Sequence, residues 1–131
     1  MTTEGSYRRT ELWKDVSETE WEDWHWQLRN RIVGIEDLKK IIQLSPEEEE
    51  GIKNSKGRLL MAITPYWASL MDPEKPYCPI RRQAVPRIDE FYTSPNDMVD
   101  PCGEDHDSPV PGLVHRYPDR ALLLVTEQCA M

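Results

Sequence analysis

The chain has 131 residues, a formal net charge of −8, 38% hydrophobic residues and a mean hydropathy of −0.70. That length allows one domain. The charge excludes a nucleic-acid surface, whose phosphates demand lysine and arginine, and no apolar run approaches the roughly 18 residues that span a bilayer. Three cysteines, an odd number behind a polar beginning (residues 1–9) with no secretory pattern, point to a reducing cytoplasm.

In chain order, residues 1–10 are expected to be disordered. Ser17 then caps a helix, and Glu20 three residues on completes a capping box. Trp21, Trp24, Leu28 and Ile32 recur three or four residues apart and predict one apolar face, with His25 and Trp26 off it. Arg29 and Arg31 suit the end of this helix, and Gly34 stops it. A short second helix covers residues 35–42. Ser45-Pro46-Glu47-Glu48 marks a third start, with a cap, a proline in the first turn and acids behind it. The glutamates at 47–50 read as a solvated helix start rather than an acidic tail. Gly51 and Gly57 leave this helix short or broken. Trp13, Trp21, Trp24 and Trp26 read as packing residues rather than a stacking platform for bases or sugars, because few basic residues interleave with them.

Residues 59–71, LLMAITPYWASLM, are the most apolar segment, and predict a short strand or turn followed by a helix capped by Thr64 and opened by Pro65. Nine prolines then fall between residues 72 and 118. Regular structure does not survive that density, although short helices near 79–84 and 94–98 are expected. Residues 121–125, ALLLV, read as a fully buried strand. Such a strand needs cover on both faces and both edges, so further chain, or another chain, is expected to supply the rest of a sheet.

Four groups of residues carry candidate chemistry. Cys129 follows the strand, as in α/β enzymes that begin a metal-cluster loop there. Alone, though, it reads as an isolated thiol, since iron–sulfur clusters take three or four thiolates. Cys78 and Cys102 stand 24 residues apart with no CxxC pair, and neither is assigned a role. In HRYPDR, Arg116 and Arg120 offer two planar forks that match phosphate or carboxylate oxygens; the residues alone favour a surface ion-pair cluster with Asp119 and Glu127. The stretch DPCGEDHD, residues 100–107, lacks the ligand spacing and closing glutamate of an EF-hand and reads as an Asx-turn loop.

LWKDVSETEWEDWHWQLRNRI, DLKKIIQLSPEEEEGI, MAITPYWASLMDP, PIRRQAVP and DSPVPGLVHRYPDRALLLVTEQCAM occur in an order that resembles the amino-terminal part of lysine 2,3-aminomutases, from about Arg8 to Met131. Glutamate 2,3-aminomutase is similar. The resemblance implies an isomerase with an S-adenosylmethionine-derived radical, a [4Fe-4S] cluster and pyridoxal 5'-phosphate, acting on a small amino acid in a cytoplasmic homo-oligomer. It implies Cys129 as the first cysteine of a CxxxCxxC cluster motif, Arg116 and Arg120 at the pyridoxal phosphate, and Asp100 in the substrate region. It also implies the fold class: an α-helical amino-terminal region (11–71) and a proline-rich wrapping segment (72–118), then the first strand and cluster loop (119–131) of a truncated α/β partial barrel. On this reading the chain is a fragment, inactive alone. The alternatives are a glutamate enzyme, a non-catalytic helical interaction module derived from the enzyme, or a product with no function.

Overall fold

In the computed structural model, which describes residues 6–55, 57 and 60–126, order begins earlier than the sequence predicts. A 3-10 turn spans Ser6–Arg9. Its anchor is Tyr7, which is buried and stacks on Trp21 with ring centroids 4.0 Å apart. Aromatic burial of this kind outweighs the polar character of the flanking residues. The described residues divide into two compact units, the first running to Tyr92 and the second beginning at Thr93.

The single helix predicted from Ser17 to Gly34 is two helices, α1 (Glu18–Glu22) and α2 (Trp24–Arg29). The capping box is present: Ser17 Oγ accepts from the Glu20 amide at 3.3 Å and the Glu20 carboxylate accepts from the Ser17 amide at 3.2 Å. Asp23 makes the break. Its backbone is extended, and its carboxylate accepts from the amides of His25 (3.0 Å) and Trp26 (3.3 Å), so it ends α1 and caps α2. A short acid that captures amides ahead of it competes with helix continuation. The restart rotates the apolar face. Trp26, predicted off the stripe, packs with Trp21, which in turn meets the buried Trp13, whereas Trp24 is 62% exposed and stacks on His25.

Gln27 is buried and joins distant segments. Its amide group donates to Trp21 O and its Oε1 accepts from the Tyr66 amide, each at 2.8 Å. Ile32 and Ile63 form an antiparallel bridge through both backbone hydrogen bonds. Gly34 stands before α3 (Ile35–Leu38) rather than ending a helix, and Leu38 and Ile42 are core residues. α5 (Pro65–Ser69) starts as predicted, with Thr64 as cap and Pro65 in the first turn. α6 (Pro79–Arg82) and a 3-10 turn over Ile88–Phe91 interrupt the proline-rich segment; residues 94–98 form a turn rather than a helix.

α4 (Pro46–Ser55) departs most from its prediction. It runs unbroken through Gly51. A Cβ at Gly51 would lie 2.5 Å from the Arg87 backbone and 2.6 Å from Pro86 O, so glycine is the residue that lets the two segments touch. Nor are its glutamates all solvated. Glu48 is 1% exposed and pairs with Arg81, which is 0% exposed. Arg81 Nε and Nη2 donate to the two Glu48 oxygens at 2.7 and 2.6 Å. Nη2 also donates to Gln43 O, and Nη1 to Asp72 O and Pro73 O. All five guanidinium N–H groups thus have an acceptor, while Glu48 Oε2 also accepts from the Ser45 amide. A buried charge persists only when paired and hydrogen-bonded in this way.

The second unit is built on an antiparallel hairpin, β1 (Leu113–Tyr117) and β2 (Arg120–Leu123), turning at Pro118-Asp119. Leu113 faces Leu123, Val114 faces Leu122 and Tyr117 faces Arg120, with an irregularity between Val114 and Tyr117. In this chain the aliphatic run forms a hairpin strand with Leu122, Leu123 and Leu124 each more than half exposed. An unbroken aliphatic run carries no period from which to tell what covers it.

Candidate functional site

Asp100, Arg116 and Arg120 all lie in the second unit; Cys129 lies outside the described residues. Asp100 opens the acidic loop. Its two carboxylate oxygens accept from the amides of Glu104 and Asp105, each at 2.9 Å, and its carbonyl accepts from Gly103, whose φ of 69° is the left-handed conformation glycine adopts readily. The amides of Asp105 and Glu104 hold the Asp100 carboxyl below its ordinary range, and Arg116 adds to this. Both oxygens serve the turn that the sequence predicts here.

Arg116 sits late in β1 and reaches back to that loop. Its Nη1 donates to Cys102 O at 2.5 Å, and its Nε lies 3.6 Å from Asp107 Oδ2. Asp107 is fixed in turn, because its carbonyl accepts from the His115 amide at 2.8 Å and its Oδ1 meets His106 Nδ1 at 3.1 Å. Arg120 opens β2 and forms a two-point pair with Asp119, Nε to Oδ1 at 3.1 Å and Nη2 to Oδ2 at 2.9 Å. Its guanidinium lies 5.4 Å from the Tyr117 ring centre. Asp119 is therefore found where the ion-pair reading of HRYPDR puts it; Glu127 lies outside the described residues.

One hairpin thus carries two guanidinium groups in different states. Arg116 is steadied at two points, and among the described residues its Nη2 has no hydrogen-bond partner. Arg120 is held by a neighbouring carboxylate that an incoming anion would have to displace. Each fork suits a phosphate oxygen, but Tyr117 faces Arg120 across the hairpin, and no contact among the described residues brings Arg116 and Arg120 together. Among the described residues no group of three His, Cys, Asp or Glu side chains is placed to hold a metal ion. Cys78 accepts from the Asp72 amide at 3.5 Å in the first unit, and Cys102 is exposed in the second. Nothing in the residue spacing pairs Arg116 with the acidic loop, beyond the place of Asp107 at the start of the DSPVPG stretch leading to β1.

No family model matches the chain. It is similar to the L-lysine 2,3-aminomutases of Bacillus subtilis (54% identical over 125 residues) and Clostridium subterminale (56% over 124 residues), each match taking in 95% of this chain. It is 40% identical over 115 residues, 88% of its length, to the glutamate 2,3-aminomutase of Clostridioides difficile. The chain spans only 26%, 30% and 27%, respectively, of the length of these three relatives. The similarity to lysine 2,3-aminomutases thus extends over nearly all of this chain and under a third of each relative.

Proposed function

We propose that the chain forms part of an L-lysine 2,3-aminomutase, an isomerase that interconverts L-α-lysine and L-β-lysine. The observation that supports this is that four L-lysine 2,3-aminomutases are 53–56% identical to the chain, although two others, at 40% and 35%, are no more similar than the glutamate 2,3-aminomutase at 40%. Within that enzyme the helical region and proline-rich segment lead into the first strand of a partial α/β barrel. The exposed leucines of β2 support this, since an apolar strand of this kind is suited to being covered.

In this reading a [4Fe-4S] cluster and S-adenosylmethionine supply a radical, and pyridoxal phosphate supplies the carbonyl that carries the migrating nitrogen. The chain's own contribution is binding and orientation. Arg116 and Arg120 are fixed-charge forks of the kind that takes a phosphate oxygen, and Arg116 is already held by Cys102 O and lies beside Asp107. Asp100 keeps the loop that carries those two groups in its turn. The cluster is a different matter. Cys129 would give one thiolate, and one does not hold four irons, so no step is assigned to it. Oligomerisation and a cytoplasmic location belong to the same proposal.

The test is a chimera in which these 131 residues replace the matching segment of the Clostridium subterminale enzyme, assayed anaerobically. Conversion of L-lysine to β-lysine is expected. A folded, cofactor-loaded chimera that rearranges glutamate and not lysine would reverse the assignment.

A further inference from the structure

We propose that Asp107 is a positioning residue for Arg116, holding its guanidinium so that Nη2 is presented to an oxyanion. The inference rests on the reading of Arg116 as a phosphate ligand. It comes from a contact that ordinary electrostatics would advise against, because a carboxylate beside an anion site repels the anion. Asp107 is placed by both ends. Its carbonyl is tied to β1 through the His115 amide, and its Oδ1 is met by His106. Its side chain is 23% exposed, whereas that of Arg116 is 52% exposed. The better-buried, backbone-anchored acid is thus the more firmly placed partner of the two. With Nη1 bound to Cys102 O and Nε 3.6 Å from Asp107 Oδ2, the guanidinium is restrained by one hydrogen bond and one charge contact. A planar fork restrained in this way loses less rotamer freedom when a ligand binds the third nitrogen.

The two possible roles of Asp107 predict opposite signs. As a mere neighbouring charge, its removal strengthens anion binding. As a positioning residue, its removal weakens binding despite the lost repulsion. The experiment uses the 131-residue chain with inorganic phosphate titrated at constant ionic strength, followed by NMR of the arginine Nε–H groups and the backbone amides of residues 113–123. In the ligand-free chain, Asp107→Ala is expected to speed hydrogen exchange of the Arg116 Nε–H several-fold while the hairpin amides stay in place. Asp107→Asn, which keeps an acceptor oxygen, should recover part of the protection. On titration, Asp107→Ala is expected to weaken phosphate binding about three- to fivefold, the range of a partly exposed ion pair. Tighter binding in Asp107→Ala, or unchanged Nε–H exchange, overturns the positioning role. Arg116→Ala separates the two levels: phosphate binding that survives this change overturns the phosphate reading itself, whatever the exchange data show.

Discussion

Arg81→Ala removes the centre of the best-connected polar site in the first unit, and its cost follows from what is left behind. The substitution strands the Glu48 carboxylate at 1% exposure, together with the carbonyls of Gln43 and Asp72; Pro73 O keeps the Gln43 amide. Breaking a buried pair from one side costs about 3–5 kcal/mol. Water reaching the partly buried carbonyls reduces their share, so about 4 kcal/mol is expected, a large part of the 5–15 kcal/mol typical of whole domains. Replacing both partners, as Glu48→Leu with Arg81→Met, removes the stranded charge but still orphans the Ser45 amide and the carbonyls of Gln43 and Asp72. The double variant should therefore cost less than the sum of the singles without becoming neutral. Urea unfolding followed by tryptophan fluorescence reads this, since Trp13, Trp21 and Trp26 lie in or against the core. A loss below about 1 kcal/mol for Arg81→Ala, the range of an exposed pair, would refute the burial reasoning.

Other consequences can be measured on the same polypeptide. Gly51→Ala places a methyl group 2.5 Å from the Arg87 backbone and should cost about 1–3 kcal/mol as overpacking, seen as a lowered urea midpoint. Asp23→Ala removes the cap of α2 and should cost about 1 kcal/mol, with a loss of helical circular dichroism. Asp23, Asp72 and Asp100 all have carboxyl pKa values held low by hydrogen bonds to the amides of His25, Glu74 and Asp105, in that order. Folded-state values below the unfolded ones mean that their contribution is complete above the ordinary aspartate range. It is lost as pH falls through the depressed values; an acid titration that stabilised the protein would contradict this. Leu123→Lys in β2, at a residue 64% exposed, should change stability by less than about 0.5 kcal/mol in this chain, and a loss of several kcal/mol would show the strand to be covered.

How much of this was legible in the sequence depended on the range of the interaction. The capping box at Ser17 and Glu20 and the Thr64-Pro65 start are local, and the structure places both where the residues predict. Asp23 is equally local, yet its amide-capturing role competed with a tryptophan spacing that looked continuous. The burial of Glu48 could not be read, because its partner lies 33 residues away and the adjacent glutamates resemble any solvated helix start. Gly51 looked like a helix breaker because its neighbour, the Arg87 backbone, is likewise remote. At the candidate site the residue types of HRYPDR favour a surface ion-pair cluster, and the structure pairs Arg120 with Asp119, but only folding shows that Arg116 is steadied by Asp107 and Cys102 O.

The claim that matters most is that this hairpin grips the phosphate of a pyridoxal cofactor. Its most direct measurement is the pyridoxal phosphate content of the chimeric aminomutase, read by absorbance after dialysis, with Arg116 and Arg120 each changed to alanine. Each substitution should lower cofactor affinity by about tenfold or more, as expected for loss of a charge-assisted contact of roughly 1.5–3 kcal/mol, with β-lysine formation falling in step. Full cofactor occupancy in the Arg116→Ala, Arg120→Ala double variant would contradict the account.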